Sequence, residues 1–425
     1  MIDRLHAFWS NPRYRRLVHN TLSLGVLNAT NILLPLLTVP YLIQTLGTET
    51  FGLLAFATAF AMYFSVLIDY GFNYASTRDA ALILDDKDQL NRLFSIVFYL
   101  KLLLLIVSFV IVAIIVTLFD RFTQDASLYF ITLATLIGTA LFPIWYFQAI
   151  EQMKTITYLN LFAKIIFTIS IFYVIEQQAD YWYVPLLTAV SNLMVAFMAL
   201  YIIFYTHQLR LIRISWKTLA DYLKYGWDYF QINLYANLMS NNNIVLLGLL
   251  TNNSVVGIYA IAEKIYSAIS AMISPITAAT YPFLVKIKQA SEAEFFRIFN
   301  KLVLALLALS ALVMILLLVF MDPILTFVAG QVEAHTKITL TILAFTLLFS
   351  NINPTYVNHI VIFNLNNQIS SIYRRTFYVN IMITIPLIVL WQAEGLAIAW
   401  TITLMTQLMM LYSTTRNIRL QLKPN

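Results

Sequence analysis

The chain has 425 residues, of which 60% are hydrophobic and 11% charged, with a formal net charge of +6 and no cysteine. A mean hydropathy of +0.78 leaves too little polar surface for a soluble globule, so the fold class is an all-α integral membrane protein. The missing cysteines exclude disulfides, thiolate metal sites and thiol nucleophiles, and the scattered cations do not form the basic patch of a nucleic-acid binder.

The opening MIDRLHAFWSNPRYRR carries Arg4, Arg13, Arg15 and Arg16, with no small-residue cleavage site after the first apolar run. It reads as an interfacial segment anchored near Trp9, not as a removable signal. Twelve apolar runs of spanning length follow, near 22–43, 51–72, 93–119, 127–149, 158–176, 183–205, 228–250, 255–284, 299–320, 336–363, 376–393 and 395–414. Each is long enough for a hydrocarbon core of about 30 Å at ~1.5 Å per residue. With the N-terminus inside, only Arg121 and Lys337 fall outside and Lys101, Lys164 and Lys264 fall within spans; every other cation is on the inner side. The positive-inside rule therefore places both termini in the cytoplasm.

A shift of 205 positions carries Gly52, Ala55 and Ala57 (GLLAFA) onto Gly257, Ala260 and Ala262 (GIYAIA), and Asn28 onto Asn233. Six spans per half give a parallel repeat, with an N-terminal lobe over 1–206 and a C-terminal lobe over 225–425. Between them, HQLRLIRISWKTLADYLK (207–224) places Trp216, Leu219 and Leu223 on one helical face, which predicts an interfacial linker helix. No loop is long enough for a nucleotide-binding domain, and neither GxxxxGK[ST] nor GxGxxG occurs. No cofactor is expected.

The polar residues inside the spans carry the functional reading. Asn20, Asn28, Asn31, Pro35 and Thr38 fall near one face of the first span, while Asn233, Asn237, Ser240 and Asn241 follow helical spacing in the seventh. Such stripes act either as interhelical glue or as the wall of a shared cavity. Lys101, Lys164, Lys264, Glu263, Asp69 and Asp228 are the charged residues in or at the ends of spans, where a charge costs about 2.5–3.5 kcal/mol on insertion scales. Lys164, ~9 Å from the inner end, is within reach of snorkelling, whereas Lys101 is ~12 Å deep. Three amines suit a polyanion such as pyrophosphate; alternatively Glu263 and Lys264 neutralise partners on other helices. Glu263, Asp228 and Asp69 are candidates for H⁺ or Na⁺ coupling. The five histidines are scattered without metal-ligand spacing, so the chain does not read as an enzyme. Trp145, Tyr146, Trp182 and Trp400, near span ends, suggest an interfacial aromatic belt.

Four segments in this order, YLIQTLGTETFGLLAFATAF (41–60), DYGFNYASTRDAA (69–81), FPIWYFQAIEQMK (142–154) and VVGIYAIAEKI (255–265), resemble the bacterial O-antigen flippases. These are Wzx-type polysaccharide transporters of the multidrug/oligosaccharidyl-lipid/polysaccharide exporter superfamily. The resemblance implies twelve transmembrane helices in two six-helix lobes forming a V, similar to multidrug and toxin extrusion transporters. It also implies transfer of undecaprenyl-pyrophosphate-linked oligosaccharide from the cytoplasmic to the periplasmic leaflet of the bacterial inner membrane, with a polysaccharide polymerase and chain-length regulator as further partners. Gly71, Arg78, Trp145, Gln148 and Glu151 match motif positions. Arg78 either meets pyrophosphate, anchors the inner face, or pairs with Asp69 or Glu151. Many relatives carry an acidic residue, often followed by a basic one, where Asn243 and Ile244 stand here. Two rival readings are an ion-coupled multidrug or organic-cation antiporter of the same fold and a lipid II flippase, a family that generally has fourteen spans.

Overall fold

A computed structural model describes residue 30 and residues 34–421, apart from the side chains at 228, 232, 235, 236, 239–241, 278, 279, 366, 419 and 421. The described residues are helical with no strand. The principal helices are α1 (Leu34–Leu46), α2 (Thr48–Asp69), α3 (Phe72–Leu82), α4 (Lys87–Leu118), α5 (Ala126–Leu141), α6 (Ile144–Ala149), α7 (Met153–Val174), α8 (Tyr183–Tyr201), α9 (Trp216–Leu250), α10 (Asn253–Ala290), α11 (Glu292–Val319), α12 (Ala334–Ser350), α13 (Asn353–Ile362) and α14 (Asn366–Gln421).

Among the described residues, nine helical stretches are long and apolar enough to cross a membrane. With α1 and α9 they account for the apolar runs of the sequence, because α14 contains two of them. That helix is broken at Trp391 and Gln392, where φ/ψ leave the helical region (Gln392 φ 46°, ψ −119°).

Helix starts follow ordinary capping chemistry. Asp86 accepts from the backbone N–H groups of Gln89 at 3.0 Å and Asp88 at 3.1 Å to open α4. The Gln89 N–H, first among these contacts, holds the Asp86 carboxyl below the usual carboxylate range. Asn252 caps α10 through Val255 N–H at 3.0 Å, and Ser291 caps α11 through Glu294 N–H at 3.3 Å. Inside the spans, threonine and serine hydroxyls return to the carbonyl four residues back, as in Thr132 to Leu128 at 2.7 Å and Ser108 to Leu104 at 2.7 Å. In lipid this satisfies a hydroxyl without a neighbouring helix.

The expected single helix over 207–224 is instead divided. Residues 208–215 are without helix, and helix resumes at Trp216 and runs unbroken to Leu250. The cause lies on α4, where Asn91 and Ser95, one turn apart, accept from the backbone N–H groups of Arg210 at 2.8 Å and Ile212 at 2.9 Å. Those external acceptors hold the strap extended until Ser215 caps α9 through Thr218 N–H at 3.3 Å.

The chain divides into two compact units. One comprises the described residues up to Leu46 with Ala57–Asn242; the other comprises Gly47–Phe56 with Asn243 onward. In the first, Trp145 and Tyr146 are buried and not part of an interfacial belt. Trp145 packs on Phe94 at 6.0 Å between ring centres, and the Tyr146 hydroxyl lies 3.0 Å from His207 Nδ1. Burial pushes the His207 imidazole below its ordinary pKa, which favours the neutral ring.

In the second unit, His359 is fully buried among Phe295, Phe296, Phe299 and Phe363, with ring centres 4.7–5.6 Å away. The start of α2 also packs in this unit. A Cβ on Gly52 would stand 2.0 Å from the Asn253 carbonyl oxygen and 2.4 Å from Gly257 N, and one on Gly257 would stand 2.0 Å from the Thr48 carbonyl oxygen. Only two glycines permit these backbones to approach so closely.

Candidate functional site

The site begins at a break between two helices. α2 ends at Asp69, Tyr70 and Gly71 turn through positive φ (46° and 75°), and α3 starts at Phe72. Gly71 is required twice. Its φ is one that side-chain-bearing residues rarely adopt, and a Cβ there would come within 2.7 Å of Tyr229 Cβ on α9. Beside it, Tyr70 stacks on Phe230 at 4.6 Å with the rings 10° apart. The DYGFNY segment is thus a backbone corner docked on α9, with Asp69 on one side and α3 on the other.

Asp69 and Lys101 form an ion pair at 3.4 Å, and Lys101 is only 4% exposed. Asn233 of α9 donates to the other Asp69 oxygen at 3.3 Å, and Asn237 donates to Asn233 Oδ1 at 2.9 Å. One carboxylate therefore joins α2, α4 and α9. The residue expected in ion coupling and the amine expected on an anion are partners of each other.

This node borders a cavity of about 180 Å³ in the first unit, whose polar wall is Asp69, Asn73, Lys101, Thr139, Asn160 and Asn192. Asn160 donates to the Ile156 carbonyl at 2.8 Å and Asn192 to the Thr135 carbonyl at 3.1 Å, while Asn73 Oδ1 is buried with no hydrogen-bond partner. Asn73, Asn160 and Asn192 were not singled out by sequence. Their signal was a lone amide on each of three different helices, which no stripe pattern detects.

Arg78 sits one helix further along in a tyrosine cluster. It pairs with Asp79 at 3.1 Å, donates to Tyr229 Oη at 2.8 Å and to Tyr225 Oη, and lies 5.9 Å from both ring centres. Tyr222 and Tyr225 each donate to Asp79 at 3.2 Å. The acidic partner of Arg78 is thus its neighbour Asp79. Thr77, one residue earlier, donates to the Trp145 carbonyl and to Gln148 Oε1, both at 3.2 Å, so the second and third sequence motifs meet through α3 and α6.

The remaining candidates are separate from this cluster. Lys164 is half-buried on α7 and is not part of the cavity wall. In the second unit, Lys264 lies 3.9 Å from its neighbour Glu263, whose other oxygen accepts from Ser267 at 2.6 Å. Among the described residues the carboxylate thus meets Lys264 and Ser267 of its own helix. Asn28 and Asn31 lie outside the described residues, as do the side chains of Asp228 and Asn241.

The polysaccharide biosynthesis protein family matches residues 17–288. The chain belongs to this family. A relative from Escherichia coli (strain K12) that carries the name of an O-antigen transporter is 25% identical over 407 residues, covering 95% of this chain and 98% of its own. Among solved structures, an inward-facing MATE-family multidrug resistance transporter of the MOP superfamily superposes with a TM-score of 0.71 at 12% identity, over 91% of this chain and 94% of that one. An inward closed form of the lipid II flippase MurJ gives 0.65 at 12% identity, over 94% and 87%. At these identities the likeness is one of fold. The polysaccharide biosynthesis family member is a multi-pass membrane protein with the transporter fold shared by those two neighbours.

Proposed function

We propose that this protein is a flippase for undecaprenyl-pyrophosphate-linked O-antigen or polysaccharide repeat units, carrying them from the cytoplasmic to the periplasmic leaflet of the inner membrane by alternating access. The observation that carries the reading is the polar cavity bordered by the Lys101–Asp69 pair, its ammonium buried, among long apolar helices. Ionisable residues inside a membrane are costly and mark substrate or ion pathways, and the adjoining amides suit a polar passenger. Membership of the polysaccharide biosynthesis family, with a relative named as an O-antigen transporter, favours a glycan over a drug cation as that passenger.

In this scheme the lipid tail stays in the bilayer while the head group crosses through polar surroundings. Arg78 and Lys264, whose side chains are 56% and 50% exposed, and Lys164 are the cationic groups offered to pyrophosphate. Asn28, Asn31, Asn233, Asn237 and Asn241 are offered to sugar hydroxyls. Asp69, Asp228 and Glu263 are the carboxylates for an H⁺ or Na⁺ gradient, and a polysaccharide polymerase with its chain-length regulator takes over the product.

Deletion of the gene in its host, with lipid extraction and quantification of undecaprenyl-linked oligosaccharides, tests this. Complete lipid-linked units should accumulate while surface polymer is lost, and the wild-type gene should reverse both. Unchanged lipid-linked units together with altered sensitivity to cationic drugs would replace the reading with a drug antiporter.

A further inference from the structure

We infer that the cavity walled by Asp69, Asn73, Lys101, Thr139, Asn160 and Asn192 is a subsite for one uncharged pyranose of the transported glycan, an inference that rests on the flippase reading above. Charge argues first. The Lys101 ammonium is matched by Asp69 at 3.4 Å, so the wall carries one positive and one negative group and no surplus cation for a phosphate. An anion entering here would meet a carboxylate already engaged by Lys101 and Asn233, and would have to break that node to be neutralised.

The hydrogen-bond inventory argues for a polyol. A carboxamide offers two N–H donors and a carbonyl with two lone pairs. Asn160 and Asn192 each use a donor on a backbone carbonyl, and Asn73 Oδ1 is buried without a donor facing it. The wall is therefore rich in acceptors, and its natural complement is a ligand bearing several O–H groups that also accept from the second N–H of each amide. Beside the amides and the carboxylate the lining includes Ile68, Phe142, Ile144 and Val195, a mixture that suits a ring whose hydroxyls project from its edge and whose C–H faces are apolar.

Size sets the number of rings. About 180 Å³ equals about six molecules of liquid water. That space accommodates a single pyranose ring, with further sugars of the unit lying beyond the named wall. The subsite therefore reads one residue of the repeat unit, and Lys101 acts by orienting Asp69 instead of by binding pyrophosphate.

The test uses the full-length protein in nanodiscs of phosphatidylethanolamine and phosphatidylglycerol, probed by saturation-transfer NMR. The probes are free glucose, galactose, mannose, rhamnose, N-acetylglucosamine and N-acetylgalactosamine, with inorganic pyrophosphate as competitor. At least one sugar should receive saturation from the wild type, and Asn160→Leu or Asn192→Leu should weaken its binding about tenfold through loss of one hydrogen-bonding amide. Pyrophosphate should not displace it.

Because either leucine variant risks misfolding, a second measurement uses Thr139→Cys, the only thiol in a chain that has none of its own. The bound sugar should slow maleimide labelling there, and pyrophosphate should not. Saturation transfer from no sugar in the panel, equal transfer in correctly folded leucine variants, or displacement by pyrophosphate would each overturn the subsite. The two readings fail separately. Sugar binding without accumulation of lipid-linked units on deletion removes the flippase and leaves the subsite, and accumulation without sugar binding does the reverse.

Discussion

Lys101 and Asp69 show what a charge inside an apolar helix demands. An ammonium 4% exposed tolerates its position because a carboxylate 3.4 Å away and 32 positions earlier in the chain offsets it. Removing one member leaves the other buried and uncompensated, a loss of roughly 3–5 kcal/mol, whereas removing both with apolar or neutral groups of similar size is often nearly neutral. Asp69→Asn and Lys101→Met should each lower the thermal midpoint of the purified protein in detergent, and the double variant should recover much of the loss. Additive losses in that cycle would mean that the two charges are not coupled. The sequence supplied both residues but not their pairing, since each lies on a different helix and no spacing rule relates them. It assigned one to anion binding and the other to ion coupling for that reason. Arg78 was legible as a motif residue, while its tyrosine partners, Tyr225 and Tyr229, lay in a segment read for its lysines and asparagines.

Helices as units were the most legible part of the sequence, because apolar runs of spanning length have few alternatives in a bilayer. Their interruptions were harder to foresee. Phe142 and Pro143 divide α5 from α6 within one apolar run, and Tyr70 and Gly71 separate α2 from the more polar α3 at the end of another. The strap before α9 illustrates the physical reason. Its residues have a helical pattern from Trp216 onward, but the backbone N–H groups of Arg210 and Ile212 are taken by Asn91 and Ser95 some 120 positions away. Local periodicity carries no information about such distant acceptors. Asn91→Leu and Ser95→Ala should each loosen this strap by the worth of one hydrogen bond, about 1 kcal/mol, and raise the rate of tryptic cleavage after Arg210 or Arg213 about fivefold. Cleavage at the wild-type rate in both variants would show that the strap is held by other contacts.

For the molecule as a whole, the complete lack of native cysteine turns orientation into a direct measurement. If both termini are cytoplasmic, a cysteine replacing Asp85 should resist a membrane-impermeant maleimide applied to intact spheroplasts, while one replacing Gln124 or Gln177 should react. The inverse pattern would reverse the positive-inside assignment. The division into two units also has a feature that composition did not disclose: the first turns of α2, Gly47–Phe56, are grouped with the later half of the chain. There Gly52 meets the backbone of Gly257 and Asn253, and Gly257 meets that of Thr48. The two glycines stand 205 positions apart in the chain, and each leaves room for main chain beside the other. Neither codon is free to change first, since any side chain at one site strikes main chain that the other cannot withdraw. Covariation, which needs both partners to vary, is blind to a contact of this kind.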